Sequence, residues 1–346
     1  MLSLGHAGVY HVGGNINRPK YHIAQGGFLG DVGWLNERGS FSYCFNIFYP
    51  PDHPIQYTKG RVPQNFRPFE PPLSPVDVRT HPNYLPPGAI LCTEGVRYSQ
   101  SSASPLKAEF IVNAQEGAVL VLPDGATREE LVNPSAIHAY VNEHAVTWYQ
   151  LFNGDNDGTT ENPVANGTLL VVTSVVRAKS WVMAIFPFQG NNVVQYAKNV
   201  RFKYDAEAIR YPWEQITKWH PINYQYERAA EGEVGAVLLG GLSMALSPSL
   251  WSNNVAYILL DSVQSCPVLL VPPMGLNERL QRITNYMRGA IEPPILDDSQ
   301  GHFHPSPIIL QILLLSNPAA SMGVVDDSIW VPHLNKRVLT HPEFVG

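Results

Sequence analysis

The pattern of apolar residues is clearest between residues 117 and 186. An apolar run over 117–123 predicts a strand, and a second run over 169–173 predicts another. Between these runs, apolar residues recur at helical spacing: Ile137, Val141, Ala145, Trp148 and Phe152. We therefore expect a helix over about 134–152 that packs against the two strands.

Local signals mark the ends of this helix. Asn133 and Pro134 supply a cap and a first-turn proline, and Asn153-Gly154 is a typical stop signal. Thr127, followed three residues later by Glu130, has the form of a capping box, which is a signature of a helix N-terminus. The sequence thus predicts helix starts near residues 127 and 133.

Two later segments, 200–205 and 222–227, alternate apolar with polar residues. That period predicts strands with one face in water, which favours an antiparallel sheet. Further apolar runs lie at 237–242, 257–260 and 268–271, and a helix is expected from about Asn277. A last helix, entered at Ser306-Pro307, is apolar almost all round, which predicts that it is buried.

The N-terminal part of the chain differs from the rest because proline pairs at 50–51, 71–72 and 86–87 cut it into short pieces. We therefore predict an α+β fold in three segments. Residues 1–107 form a loop-rich, proline-rich β module. Residues 108–230 form a central α+β domain with a mainly antiparallel sheet and packed helices, and residues 231–346 form a C-terminal αβ region.

Composition narrows the classes of partner. Charged residues make up 15% of the 346 residues, against roughly 25% in typical soluble domains. The net charge of −6 is spread without a basic run, which argues against nucleic acid and against a membrane surface as partners. The low charge suits protein contacts, so we expect a protein partner or self-association.

Sequence features also bear on the compartment. The first ten residues lack the charged start and apolar stretch of a secretory signal, and the run at 308–315 is too short to cross a bilayer. Cys44, Cys92 and Cys266 are odd in number and far apart, which fits free thiols in a reducing compartment. We therefore predict a cytoplasmic protein.

Several blocks of residues occur together along this chain. The central ones are 117–124, Trp148-Tyr149-x-x-Phe152-Asn153, 167–173 and Lys179-Ser-Trp181; the outer ones are Gly30-Asp-Val-Gly33, Phe45-Asn-Ile-Phe48, His304-Pro-Ser306, Asn317-Pro-x-Ala320 and Asp326-Asp327-x-x-Trp330. As a set they resemble a large family of uncharacterised proteins from mushroom-forming fungi, over most of the chain. The resemblance implies no activity, cofactor or site residue.

The densest group of potential metal ligands lies at 297–305. In an extended segment His302 and His304 would project to the same side, and Asp298 would add a carboxylate. Three such ligands could hold a divalent metal that activates water for hydrolysis. The alternative is that Asp297 begins a turn and that His304 precedes a helix entry, with no cofactor at all.

A second candidate chemistry is nucleophilic. Gly241-x-Ser243-x-Ala245 follows an apolar run and is close in form to the turn that presents a catalytic serine, with Asp297 as the acid and His302 as the base in chain order. The alternative is a buried strand with small residues at a close-packing point. No βα alternation precedes the serine to build the parallel sheet that such enzymes use.

No complete catalytic constellation is therefore visible in the sequence. The first hypothesis is a non-catalytic cytoplasmic binding or protein-interaction module without a cofactor. The second is a hydrolase, either metal-dependent or serine-dependent.

Overall fold

The computed structural model describes residues 8–9, 22, 26–35, 41–56, 62–93, 96–101, 104–112, 117–154, 164–186, 200–205, 213–215, 223–228, 234–256 and 305–329. Its strands are β1 (Gly8–Val9), β2 (Asp31–Leu35), β3 (Phe41–Asn46), β4 (Val78–Leu85), β5 (Ala89–Cys92), β6 (Val96–Ser101), β7 (Ser104–Val112), β8 (Gly117–Leu122), β9 (Ala126–Leu131), β10 (Leu169–Ala178), β11 (Ser180–Phe186), β12 (Val200–Asp205), β13 (Trp213–Gln215), β14 (Asn223–Arg228), β15 (Gly235–Leu246) and β16 (Met322–Asp326). Its α-helices are α1 (His138–Gly154), α2 (Pro248–Trp251) and α3 (Pro305–Ser316). Short 3-10 turns at Pro75–Asp77 and Pro134–Ile137 and a π-helical turn at Ser252–Ala256 complete the described elements.

The largest sheet has eight strands and is built around the antiparallel pair β10 and β15. The order β1-β15-β10-β2-β3 runs across it, while β16 extends β15, β9 pairs with β10, and β4 pairs with β9. Every residue of β10 and β15 is buried. The sheet takes strands from all three segments of the chain distinguished above, and its pairs are antiparallel, which confirms the predicted α+β class.

Two four-stranded sheets stack beyond the large one. The order β14-β11-β8-β5 forms the second sheet and β13-β12-β7-β6 the third. Successive side chains of β8 point to opposite faces of the second sheet and so contact both of the other sheets. Leu120 and Leu122 pack toward the large sheet, whereas Val119 and Val121 pack against the third sheet. The predicted strands at 117–123, 169–173, 200–205 and 222–227 all exist.

Close packing between the first two sheets depends on one glycine. A Cβ atom added to Gly235 would lie 2.1 Å from the ring of Trp181, far inside van der Waals contact. Trp181 is buried at the junction of the two sheets together with Leu238. The large indole fills this junction because the facing position of β15 has no side chain.

The helix α1 matches the prediction from helical spacing. Its buried residues include Val141, Ala145, Trp148 and Phe152, and Ile137 is buried in the turn before it. These side chains cover the large sheet and form the main core with residues of β2, β3, β10 and β15. The 3-10 turn at Pro134–Ile137 replaces the first predicted turn of α-helix.

The predicted helix start near residue 127 is wrong. Thr127 and Glu130 lie in the strand β9, where they pair with Arg177 and Ser174 of β10. On its other side β9 pairs with β4. Cross-strand hydrogen bonding on both edges overrides a local capping signal, because that signal supplies only one or two hydrogen bonds.

The prediction that the C-terminal helix α3 is buried is wrong for part of its surface. Leu310 and Leu314 are buried and pack with Ala245 of β15 and Val325 of β16. Leu313 and Leu315 are 42% and 48% exposed. The helix is apolar on both sides, but the structure covers only the side that faces the sheet. No described helix is long and apolar enough to cross a membrane.

A buried tyrosine ties α1 to the large sheet. The Tyr149 hydroxyl donates to the Met244 carbonyl oxygen at 2.8 Å and accepts from the Gly167 backbone N–H at 2.9 Å. Burial raises the pKa of Tyr149 above its ordinary value, so the hydroxyl keeps the proton that it donates. One side chain thus satisfies backbone groups on two other elements.

We expect Tyr149→Phe to lower the free energy of unfolding by about 1–3 kcal/mol, because it removes the partner of the buried Gly167 N–H and one hydrogen bond to the Met244 carbonyl oxygen. Tyr140→Phe is the matched control on the same helix, since the Tyr140 hydroxyl makes a single, exposed bond to the Arg67 carbonyl oxygen. Urea unfolding of both variants checks this. Equal losses in the two variants would contradict the role given to Tyr149.

Candidate functional site

The serine of the predicted nucleophile turn lies in the middle of an antiparallel strand. Ser243 belongs to β15 and pairs with Leu170 of β10 and Val325 of β16. Its side chain is 3% exposed, and the strand continues to Leu246. A catalytic serine of this class sits instead on a strained strand-to-helix turn with an exposed hydroxyl. The geometry therefore favours the alternative, a buried strand with small residues.

Small residues in this part of β15 make room for α3. Ala245 packs with Leu310 and Leu314 of the helix, and Val325, the partner of Ser243, belongs to the same cluster. Cross-strand partners share a face, so Ser243 lies on the α3 side of the sheet. The Gly-x-Ser-x-Ala pattern thus corresponds to a helix-packing surface.

The other residues of the predicted sites, Asp297, Asp298, His302 and His304, lie outside the described residues. The structure therefore does not test the serine triad or the metal site, and both stay predictions. Within the described part of the chain, no group of three or more His, Cys, Asp or Glu side chains could hold a metal ion.

Two buried carboxylates lie where β16 ends. Asp327 is 2% exposed, and its two carboxylate oxygens accept from the Gly241 backbone N–H at 3.0 Å and from the Ser306 hydroxyl at 3.1 Å. Gly241 lies between the part of β15 that pairs with β1 and the part that pairs with β16. Just after β16 ends, the Asp327 side chain therefore takes over as the acceptor for the Gly241 N–H of β15. The same side chain also binds the start of α3 through Ser306.

Asp326 lies in a different environment. Its Oδ1 accepts from the Ser328 backbone N–H at 2.7 Å, whereas its buried Oδ2 has no hydrogen-bond partner. The buried Nε2 of His138, at the start of α1, also has none. Burial raises the pKa of Asp326 above its ordinary value, and the Asp327 charge adds to this, while the Ser328 bonds and the nearby His138 act in the opposite direction.

Another buried polar cluster joins β2 to β3. Asp31 accepts from His22 Nε2, from the Phe28 backbone N–H and from the Asn46 side-chain amide, each at 2.8 Å. His22 is fully buried and its ring lies 3.9 Å, centroid to centroid, from that of Tyr43. No substrate could reach these groups without rearrangement, so the cluster holds strands together.

The described surface offers one feature suited to binding, which we call the α3 surface. It consists of the exposed side chain of Leu313 and the groove of about 500 Å³ that this side chain lines. Leu315 is also exposed, but it projects from a different side of the helix because residues two apart do not face each other. The groove is lined by Leu313, Leu314, Asn317, Ala319, Ala320, Met322 and Gly323. Residues 305–325 contain no charged side chain. The sequence showed how apolar this helix is but not which side of it is left open.

The edge of the large sheet next to this surface is formed by β16. Among the described strands, β16 pairs with β15 alone. Edge strands in native proteins commonly carry a proline, a lysine or a bulge that blocks further pairing. In β16, Met-Gly-Val-Val-Asp, none of these is present, and the single charged residue, Asp326, is buried.

Comparison of the chain with protein-family models, with curated proteins and with solved structures finds no match. The resemblance to a fungal family therefore stays a prediction. Two of the blocks that carry it contain Asp31 and Asn46, which are cross-strand partners and hydrogen-bond to each other.

We expect no labelling of Ser243 by a fluorophosphonate probe, because its hydroxyl is buried in mid-strand. Ser243→Ala should change the free energy of unfolding by less than about 1 kcal/mol, since alanine fits the same packed position. Probe labelling of the intact protein that disappears in Ser243→Ala would overturn this expectation and support the serine hydrolase.

We expect Asp326→Asn to stabilise the protein at pH 7. The pKa of Asp326 is raised in the folded state, so the protonated carboxyl group favours the folded protein. This contribution to stability is fully present below the unfolded-state pKa and is lost as pH rises through the folded-state pKa. The gain in Asp326→Asn should therefore shrink as pH falls toward 4. Chemical unfolding at several pH values measures this.

Asp327→Asn is the matched control. It replaces one of two oxygens that accept hydrogen bonds, and we expect it to destabilise by about 1–3 kcal/mol at neutral pH. A loss of stability in Asp326→Asn at pH 7 equal to that in Asp327→Asn would contradict the assignment.

Proposed function

We propose that this protein is a non-catalytic binding protein that docks another protein chain on the α3 surface. The observation that carries the proposal is the exposure of Leu313 and Leu315 on a helix without a single charged residue. Full burial of an exposed leucine stabilises by about 1.5–3 kcal/mol, and the 42% of Leu313 that remains exposed corresponds to roughly half of that.

The groove supports a protein partner better than a small ligand. Sites for small molecules combine an apolar lining with a few polar groups that orient the ligand. Asn317 is the one polar side chain in this lining, and its amide already donates to the Leu313 carbonyl oxygen at 3.0 Å. The adjacent strand β16 instead offers backbone groups, which bind an extended chain.

The cytoplasm is the proposed compartment. Cys44 and Cys92 are free thiols, which fits a reducing environment. Burial raises the pKa of the Cys92 thiol to about 12, so Cys92 is not a ready nucleophile. Hydrolysis through Ser243 or through a metal at Asp298, His302 and His304 remains the alternative function.

Site-specific cross-linking tests the binding function. A photoreactive benzophenone amino acid in place of Leu313 should give a covalent product of discrete mass on illumination of cells that produce the protein. The same amino acid in place of Val76, which is 82% exposed and lies far from α3 in sequence, is the control and should give none. No product at position 313, or the same products at both positions, would contradict the proposal.

A further inference from the structure

The edge strand and the exposed helix lie side by side. Leu310 and Leu314 of α3 pack on Ala245 of β15 and on Val325 of β16. A Cβ atom added to Gly323 of β16 would lie 3.1 Å from Leu310 Cδ2. The axis of α3 therefore runs above the β15–β16 pair, next to the edge of β16 that has no partner among the described strands.

We propose that the occupant of the α3 surface is a second copy of this chain. Antiparallel pairing of β16 with the same strand of the partner subunit would continue the large sheet, and α3 would pack on the partner's α3. This inference rests on the proposed binding function and names the partner.

The spacing of strands and helices fits this arrangement. Neighbouring strands lie about 4.8 Å apart, and the twofold axis would pass midway between the two β16 strands. A helix above the midpoint of the β15–β16 pair is then about 5 Å from the axis. Its symmetry mate is therefore about 10 Å away, at the upper end of the range of 8–10 Å at which helices pack.

The chemistry of the surface is self-complementary. Residues 305–325 carry no charge, so the twofold axis brings apolar groups against apolar groups although each chain has a net charge of −6. A foreign strand could pair with β16, but it would leave Leu313 exposed unless it carried its own helix on the same side. A second copy would pair with the backbone of β16 and cover Leu313 of α3 at the same time.

Leu313 and Leu315 form a matched pair for a test. Both are exposed to a similar extent on the same helix, yet Leu313 lines the groove beside β16 and Leu315 does not. In the proposed dimer Leu313 lies at the contact between the helices. A carboxylate at position 313 would face its own copy across the axis, with like charges opposed.

Sedimentation velocity on the purified full chain measures the dimer. We expect the wild-type protein to be dimeric at micromolar concentration, Leu313→Asp to raise the dissociation constant at least about tenfold, and Leu315→Asp to change it less than about threefold. Leu313→Gln is the second variant if Leu313→Asp proves unfolded by circular dichroism. Amide hydrogen exchange should show protection of residues 322–326 that is lost when the protein is diluted to the monomer.

Three results would overturn the inference. They are a monomer at about 100 µM, a dimer equally weakened by both aspartates, or a dimer in which the amides of β16 exchange as in the monomer. The cross-link at position 313 separates the two proposals. A product containing a different protein, together with a monomeric chain, refutes the second copy and keeps the binding function, whereas no product at all refutes the binding function.

Discussion

The structure depends on the pairing of β10 with β15. Every residue of both strands is buried, so their backbone groups have no access to water and need hydrogen-bond partners within the protein. The two strands also need apolar cover on both faces. The helix α1 covers the main core side, the second sheet packs near one end of β15 at Val237 and Leu238, and α3 packs near the other end at Ala245. The order of the layers follows from this requirement.

The same requirement explains why one apolar surface stays open. Leu310 and Leu314 cover Ala245 and Val325, and they form one side of a helix that is apolar almost all round. The apolar cluster in the described part of the chain includes only this side of α3. Asp327 fixes the start of this helix by accepting from Ser306 and from a β15 backbone N–H. These two hydrogen bonds fix the start of α3 against the large sheet, beside β16.

Periodic patterns predicted the elements well because they reflect burial on one side. The spacing from Val141 to Phe152 located α1, and the alternation at 200–205 located β12. Local end signals were less reliable: the capping-box form at Thr127 and Glu130 lies in a strand held by partners on both edges. The buried polar clusters were not predictable from the sequence. Asp31 hydrogen-bonds to Asn46, and Asp326 lies near His138, only because the fold brings distant segments together.

Short windows of the sequence predict the α+β class, the central helix with its neighbouring strands, and the apolar character of α3, because each of these is a local property of the chain. Only the packing of distant segments shows that Ser243 is buried in mid-strand, that the carboxylates of Asp326 and Asp327 are buried, and that Leu313 is exposed next to β16, which has one partner among the described strands. Exposure depends on which distant elements cover a residue, and no local pattern contains that information.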